Sequence, residues 1–191
     1  AASGAGFFNI EHDRDGLIRK IPLVVRFRDG LYPSLALKAL SLYLEEPVGI
    51  RLAPFGVEAI TIGDVAVPTD ERGHLAINYY GPSGTVPTHS AIDLLEGRLP
   101  KGALKGRLVF IGVTEIGISD LRATPIDAYF PGVEIHGVVT SNILQGRYLI
   151  RDSRTMLIDL AMVVLLPFLL VYLLVKVRRT IISGSRKMLI F

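Results

Sequence analysis

Two short hydrophobic rhythms and one long apolar block organise this chain. Between Asp15-Gly16 and Asp29-Gly30, the stretch Leu17 to Phe27 reads as a strand, because glycine in each dipeptide supplies the positive φ of a tight turn. The segment "SLALKALSLYLEE" follows, with polar residues at 34, 38, 41 and 45. Intervals of four, three and four put them on one narrow wet stripe of an otherwise buried helix, capped by Ser34. Pro47 and Pro54 mark a loop, and "VEAITIGDVAVPTDERGHLAINYYG" then reads as three short strands of a small antiparallel sheet, broken at Gly63-Asp64 and at Asp70 to Gly73. "TVPTHSAIDLLEG" predicts a short helix capped by Thr88 or Ser90 and stopped at Gly97. Leu108 to Ile111 predicts a buried strand running into a glycine loop, and "PGVEIHGVVTSNILQGRYL" a helix begun by Pro131 and closed near Gly146. The fold class expected is α/β, a mixed sheet with hairpins and flanking helices, followed by a transmembrane helix.

That last element is "MLIDLAMVVLLPFLLVYLLV", Met156 to Val175, whose single charge is Asp159. At 1.5 Å per residue the run spans roughly 30 Å, the hydrocarbon thickness of a bilayer. A core helix apolar all round over this length would need a larger protein around it. Asp159 lies one turn from the start, within reach of the headgroups, and Pro167 predicts a kink. Charge divides at the same helix. Residues 1–155 carry sixteen Lys/Arg against seventeen Asp/Glu, whereas 176–191 carry Lys176, Arg178, Arg179, Arg186 and Lys187 and no acid. A basic tail directly behind a span favours the cytoplasmic side, so 1–155 is expected outside the inner membrane, periplasmic or extracellular, with 156–175 spanning and 176–191 cytoplasmic. The near-neutral first part argues against a nucleic-acid partner. No signal peptide or initiator Met precedes "AASGAGFFNI", so a delivering segment is expected ahead of it, and "KMLIF" reads as the start of a second span.

Candidate chemistry is sparse. Glu11, Asp13, Asp15 and Gly16 imitate the first half of a calcium loop. Counted from Glu11, however, positions 9 and 12 fall on Arg19 and Pro22 instead of oxygen ligands, so the acids read as turn formers. Gly112 and Gly117 have the spacing of a phosphate-binding loop, but Ile118 stands where it needs the Lys that holds phosphate. No G-x-S-x-G elbow occurs. His12, His74, His89 and His136 make no metal-ligand pair, and the absence of cysteine rules out disulfides, thiol catalysis and Cys-based zinc sites. No catalytic residue, metal or cofactor is expected. The remaining candidate is the junction of the strand, the glycine loop and the start of the Pro131 helix. Backbone N–H groups at a helix start attract polar groups. Asp120, Arg122 and Thr124 lie on the loop beside it, and Glu134 and His136 on the helix. For His136, which shares a helix with Glu134, the competing reading is a satisfied packing or surface role, because residues two apart on a helix point in different directions.

In this order, "GFFN…D.DG..RKIPL", "YPSLALKAL", "FIGVTEIGISDLRATPID" and "PGVEIHGVVTSNILQGRYL", followed by a membrane helix, resemble the type-2 CHASE domain, a sensory extracellular domain of bacterial receptors. The resemblance covers Gly6 to about Arg151. It implies a sensor for an unknown extracellular stimulus or small ligand, coupled to an adenylate or guanylate cyclase, a histidine kinase, a diguanylate cyclase or a Ser/Thr kinase. It also implies a homodimer. In the family an N-terminal membrane helix and a first βαβ portion precede these motifs and further membrane helices follow them, so the domain is expected to be incomplete at both ends. This stretch is then not itself an enzyme, although the whole protein would be a cyclase or kinase. Two other readings stay open: a membrane-anchored cell-envelope enzyme using Asp120, Asp127, Glu134 and His136 as acids and bases, and an interaction domain with no ligand.

Overall fold

The computed structural model describes residues 3–114, 120–150 and 153–188, the last stretch with side chains for 156–178. The chain forms two compact units, Ala1–Leu149 and Ile150–Phe191.

In the first unit the acidic turn closes on itself. The Gly16 amide, at φ 81°, donates to Asp13 O (2.9 Å), and the Arg19 guanidinium binds Asp13 and Asp15 at 2.7 Å each. A cation thus lies among the carboxylates a calcium ion would need. The predicted strand Leu17 to Phe27 is two strands of two sheets. β1 (Lys20–Pro22) pairs antiparallel with a distant strand, β7 (His74–Ala76), while β2 (Val24–Phe27) forms a hairpin with β3 (Gly30–Pro33). Pro22 has no amide to continue a ladder, and the buried Leu23 turns the chain, donating to Gly73 O (2.9 Å) and accepting from Ser34 N (2.7 Å). The hairpin's left-handed residue is Arg28, φ 54°, not Gly30.

Helix α1 (Leu35–Leu44) begins where expected, its Ser34 hydroxyl accepting from Leu37 N. The wet stripe is wrong. Ser34 and Ser41 are buried, because each hydroxyl is consumed at a helix end, Ser41 donating to Glu46 O (2.6 Å), while Leu42, Tyr43 and Leu44 face out. The predicted loop between Pro47 and Pro54 is instead β4 (Val48–Ala53), in an antiparallel sheet with β5 (Gly56–Ile62) and β6 (Val65–Val67). The prolines sit just outside the strand, where no ladder amide is lost. After the five-residue α2 (Ala91–Leu95), the predicted buried strand Leu108 to Ile111 is not one. Among the described residues, no backbone group of Leu108 to Thr114 has a backbone partner, and Ile111 is 88% exposed. Its alternate side still packs inward: Phe110 stacks on His136, and a Cβ at Gly112 would lie 2.6 Å from Val133 Cβ.

A two-residue pair, β8 (Leu121–Arg122) with β9 (Phe130–Pro131), leads into α3 (Gly132–Gln145), closed by Gly146 at φ 62°. The core lies between α3 and α1, with Ile135, Val138, Val139 and Ile143 packed with Ala36, Leu37 and Leu40 over Ile21, Leu75 and Phe130. Asn142, fully buried, holds the strand leaving β7 by bonding both Asn78 N (2.9 Å) and Asn78 O (3.0 Å).

The second unit is one helix, α4 (Ser153–Met188), about 54 Å long at 1.5 Å per residue. Met156–Arg178 is long and apolar enough to cross a membrane. The helix runs through Pro167 and on through the basic tail, beyond the predicted end at Val175.

Candidate functional site

The five sequence candidates separate into two groups around the start of α3. Thr124 and Glu134 are occupied in holding loops. The buried Thr124 hydroxyl accepts from Asp127 N (3.0 Å) and donates to Asp127 O (2.9 Å), closing the turn at Pro125. Glu134, 7% exposed, accepts from Gly84 N (3.0 Å), Val86 N (3.1 Å) and Ser83 Oγ (3.2 Å). The loop "GPSGTV" thereby makes a nest of amide donors whose anion is the protein's own carboxylate. Asp127 supports it from beside, accepting from Tyr129 N and Ser83 N, which hold its carboxyl below the usual range. These partners leave Asp127 and Glu134 badly placed for acid–base chemistry.

Asp120, Arg122 and His136 form the second group. Asp120 O accepts from Gly132 N (2.8 Å), and its carboxylate packs so close to Gly132 that a Cβ there would collide with it. The helix start expected to be open to a ligand anion is therefore covered by Asp120, as the positive end of the helix favours. Arg122 pairs with this carboxylate and reaches His12 Nε2 at 3.4 Å, its Nε buried without a partner among the described residues. His136, 4% exposed, is stacked on Phe110 with ring centroids 6.2 Å apart. Burial pushes its pKa down, against the opposing pull of a hydrogen bond to the Phe8 backbone and of the Asp120 charge, and its Nδ1 is buried without a partner among the described residues. As their spacing implied, Glu134 and His136 turn to different neighbours. Gly117, Ile118 and Ser119 of the glycine loop lie outside the described residues.

A polar cleft of about 760 Å³ escaped the sequence reading. It opens between the acidic turn and the sheet, lined by Glu11, Arg14, Lys20, Asp70, Arg72 and His74 among others. His74 lies 3.5 Å from Asp70 and 3.7 Å from Glu11. Asp70 and His74 share one turn, a proximity legible in the sequence, but only the pairing of β1 with β7 brings Glu11 to them.

Among the described residues, the site gathers a buried imidazole, a guanidinium and a carboxylate around one helix start. The model of the CHASE2 domain family matches residues 1–175. No curated protein and no solved structure matches the chain. With most of its length matched, the chain belongs to the CHASE2 domain family, non-catalytic extracellular sensory domains of signalling receptors.

Proposed function

We propose that residues 1–155 sense a stimulus outside the inner membrane and pass it, as a homodimer, through the span at 156–175 to a cytoplasmic cyclase or kinase module, with the basic tail inside. The observation that carries this reading is the tie between Asp120 and the first turn of α3. Asp120 joins the β8 segment to the last helix before the apolar span in the chain, so anything that redistributes the contacts of Asp120 and Arg122 biases that helix. A stimulus shifts such an equilibrium only if it binds the two arrangements unequally, and an ion pair open at one side offers that difference. The basic tail behind the span supports the orientation.

A signalling assay in the intact receptor tests it. Asp120→Ala and Arg122→Ala should each reduce the response by about tenfold or more, the size of a typical coupling, while leaving the fold intact. Unchanged responses would remove this junction as the sensing site.

A further inference from the structure

The surroundings of Asp120 specify a chemistry for the stimulus. A helix start of this length prefers an anion. Two independent observations show that the internal anion leaves part of its environment unanswered. Among the described residues, the Arg122 Nε–H is a buried donor with no acceptor, and His136, nine-tenths buried, has an Nδ1 with no partner. Both side chains lie beside the same carboxylate: Arg122 pairs with it, and His136 follows by one helical turn, on the same face, the Gly132 against which that carboxylate packs. Asp120 and Arg122 are partly exposed, so the cluster is reached from solvent.

We propose that this cluster binds the carboxylate of a small ligand, which displaces the Asp120 side chain from Arg122 and the start of α3 while His136 takes up one proton. This deepens the proposed sensing role and rests on it. The charges balance: the incoming carboxylate replaces one anion with another, and the proton on His136 offsets the Asp120 charge released toward solvent. Among the described residues, the charged and polar groups around the imidazole fit the step. Asp120 lies on the preceding loop, Arg122 on β8 with His12 beyond it, the Phe8 backbone accepts a ring hydrogen bond, and Glu134 on the same helix is turned to the 83–86 loop. Protonated Nδ1 gains a donor role, and a carboxylate has oxygens enough for it and for the Arg122 Nε–H.

The test uses the whole chain in detergent, with acetate and succinate as probes and succinamide as the neutral control. The four histidine rings are followed by nitrogen-labelled NMR. Carboxylates should shift the His136 ring signal toward the protonated form, and succinamide should not. Binding should tighten by up to about tenfold per unit fall in pH, the limit for one linked proton. Asp120→Asn, which removes the competing charge, should bind about tenfold tighter, and Arg122→Ala should lose binding. No His136 shift with either carboxylate, or a shift that survives Arg122→Ala, overturns the proposal. Carboxylate binding with an unchanged receptor response would retain this site and refute the sensing role. Loss of response in the Asp120 and Arg122 variants without carboxylate binding would do the reverse.

Discussion

Glu134 shows how a single side chain can be mistaken for a ligand contact. It is acidic, near a helix start and beside a glycine-rich loop, yet its oxygens are filled by Gly84, Val86 and Ser83. Replacing it by Gln turns an amide donor toward those donors, so Glu134→Gln should cost about 1.5–3 kcal/mol, the range for hydrogen bonds to a charged group, measured by denaturation of the chain in detergent. His136 gives a pH dependence of known sign. Its folded pKa is pushed below the ordinary value near 6.5 chiefly by burial, so the unfolded chain binds the proton first on acidification. Its contribution is complete above about pH 6.5 and is lost as pH falls toward the folded value. His136→Phe, which keeps a ring against Phe110, should therefore flatten the fall in melting temperature between about pH 7 and 5. At the acidic turn, Arg19 hydrogen bonds hold the Asp15 carboxyl at about 2, so that exposed pair acts only below the range where His136 titrates.

Helix α1 depends on its two ends. Ser34 caps the start from a fully buried position, and Glu45 ends the helix at φ 57°, a conformation an L side chain resists. Glu45→Gly should stabilise the chain by about 0.5–1 kcal/mol, and Ser34→Ala should destabilise it by about 1–2 kcal/mol, read as opposite shifts in denaturation midpoint. Both ends were foreseeable, from a serine before an apolar run and a proline shortly after it. The exposed face was not, because the interval pattern treats serine as wet, whereas a serine whose hydroxyl closes a helix end is satisfied inside. The same limit explains β4. Proline spacing marks where a ladder stops, and it is silent on whether the residues between two prolines find a partner.

Across the whole molecule, the apolar block and the basic tail carry the proposed topology. A membrane-impermeant maleimide applied to intact cells without an outer-membrane barrier should label a cysteine placed at Asp64, in an exposed turn of the first unit, and leave one placed at Ser185 unlabelled. Labelling of the second site alone would reverse the orientation. The cysteine-free background makes each label unambiguous. Because α4 continues from the apolar stretch into the tail without a break, the basic residues begin on the same helix that crosses the apolar region.

The amino-acid sequence alone determined the elements whose cause is local: the Asp13 to Gly16 turn, the Ser34 cap, the Gly146 stop and the apolar helix. Each follows from a residue's own backbone preference or from a run of like polarity, and neither requires a distant partner. It also placed Asp120, Arg122 and His136 in one neighbourhood, since the segments bearing them flank one short hairpin. Tertiary structure alone decided which strand pairs with which, because Leu23 changes sheets only when Gly73 and Ser34 are there to bond it. It decided too that Glu134 faces the 83–86 loop, fifty residues away, while Asp120 faces the helix start. Long-range hydrogen bonds choose among side chains of equal chemistry, and no spacing along the chain records that choice.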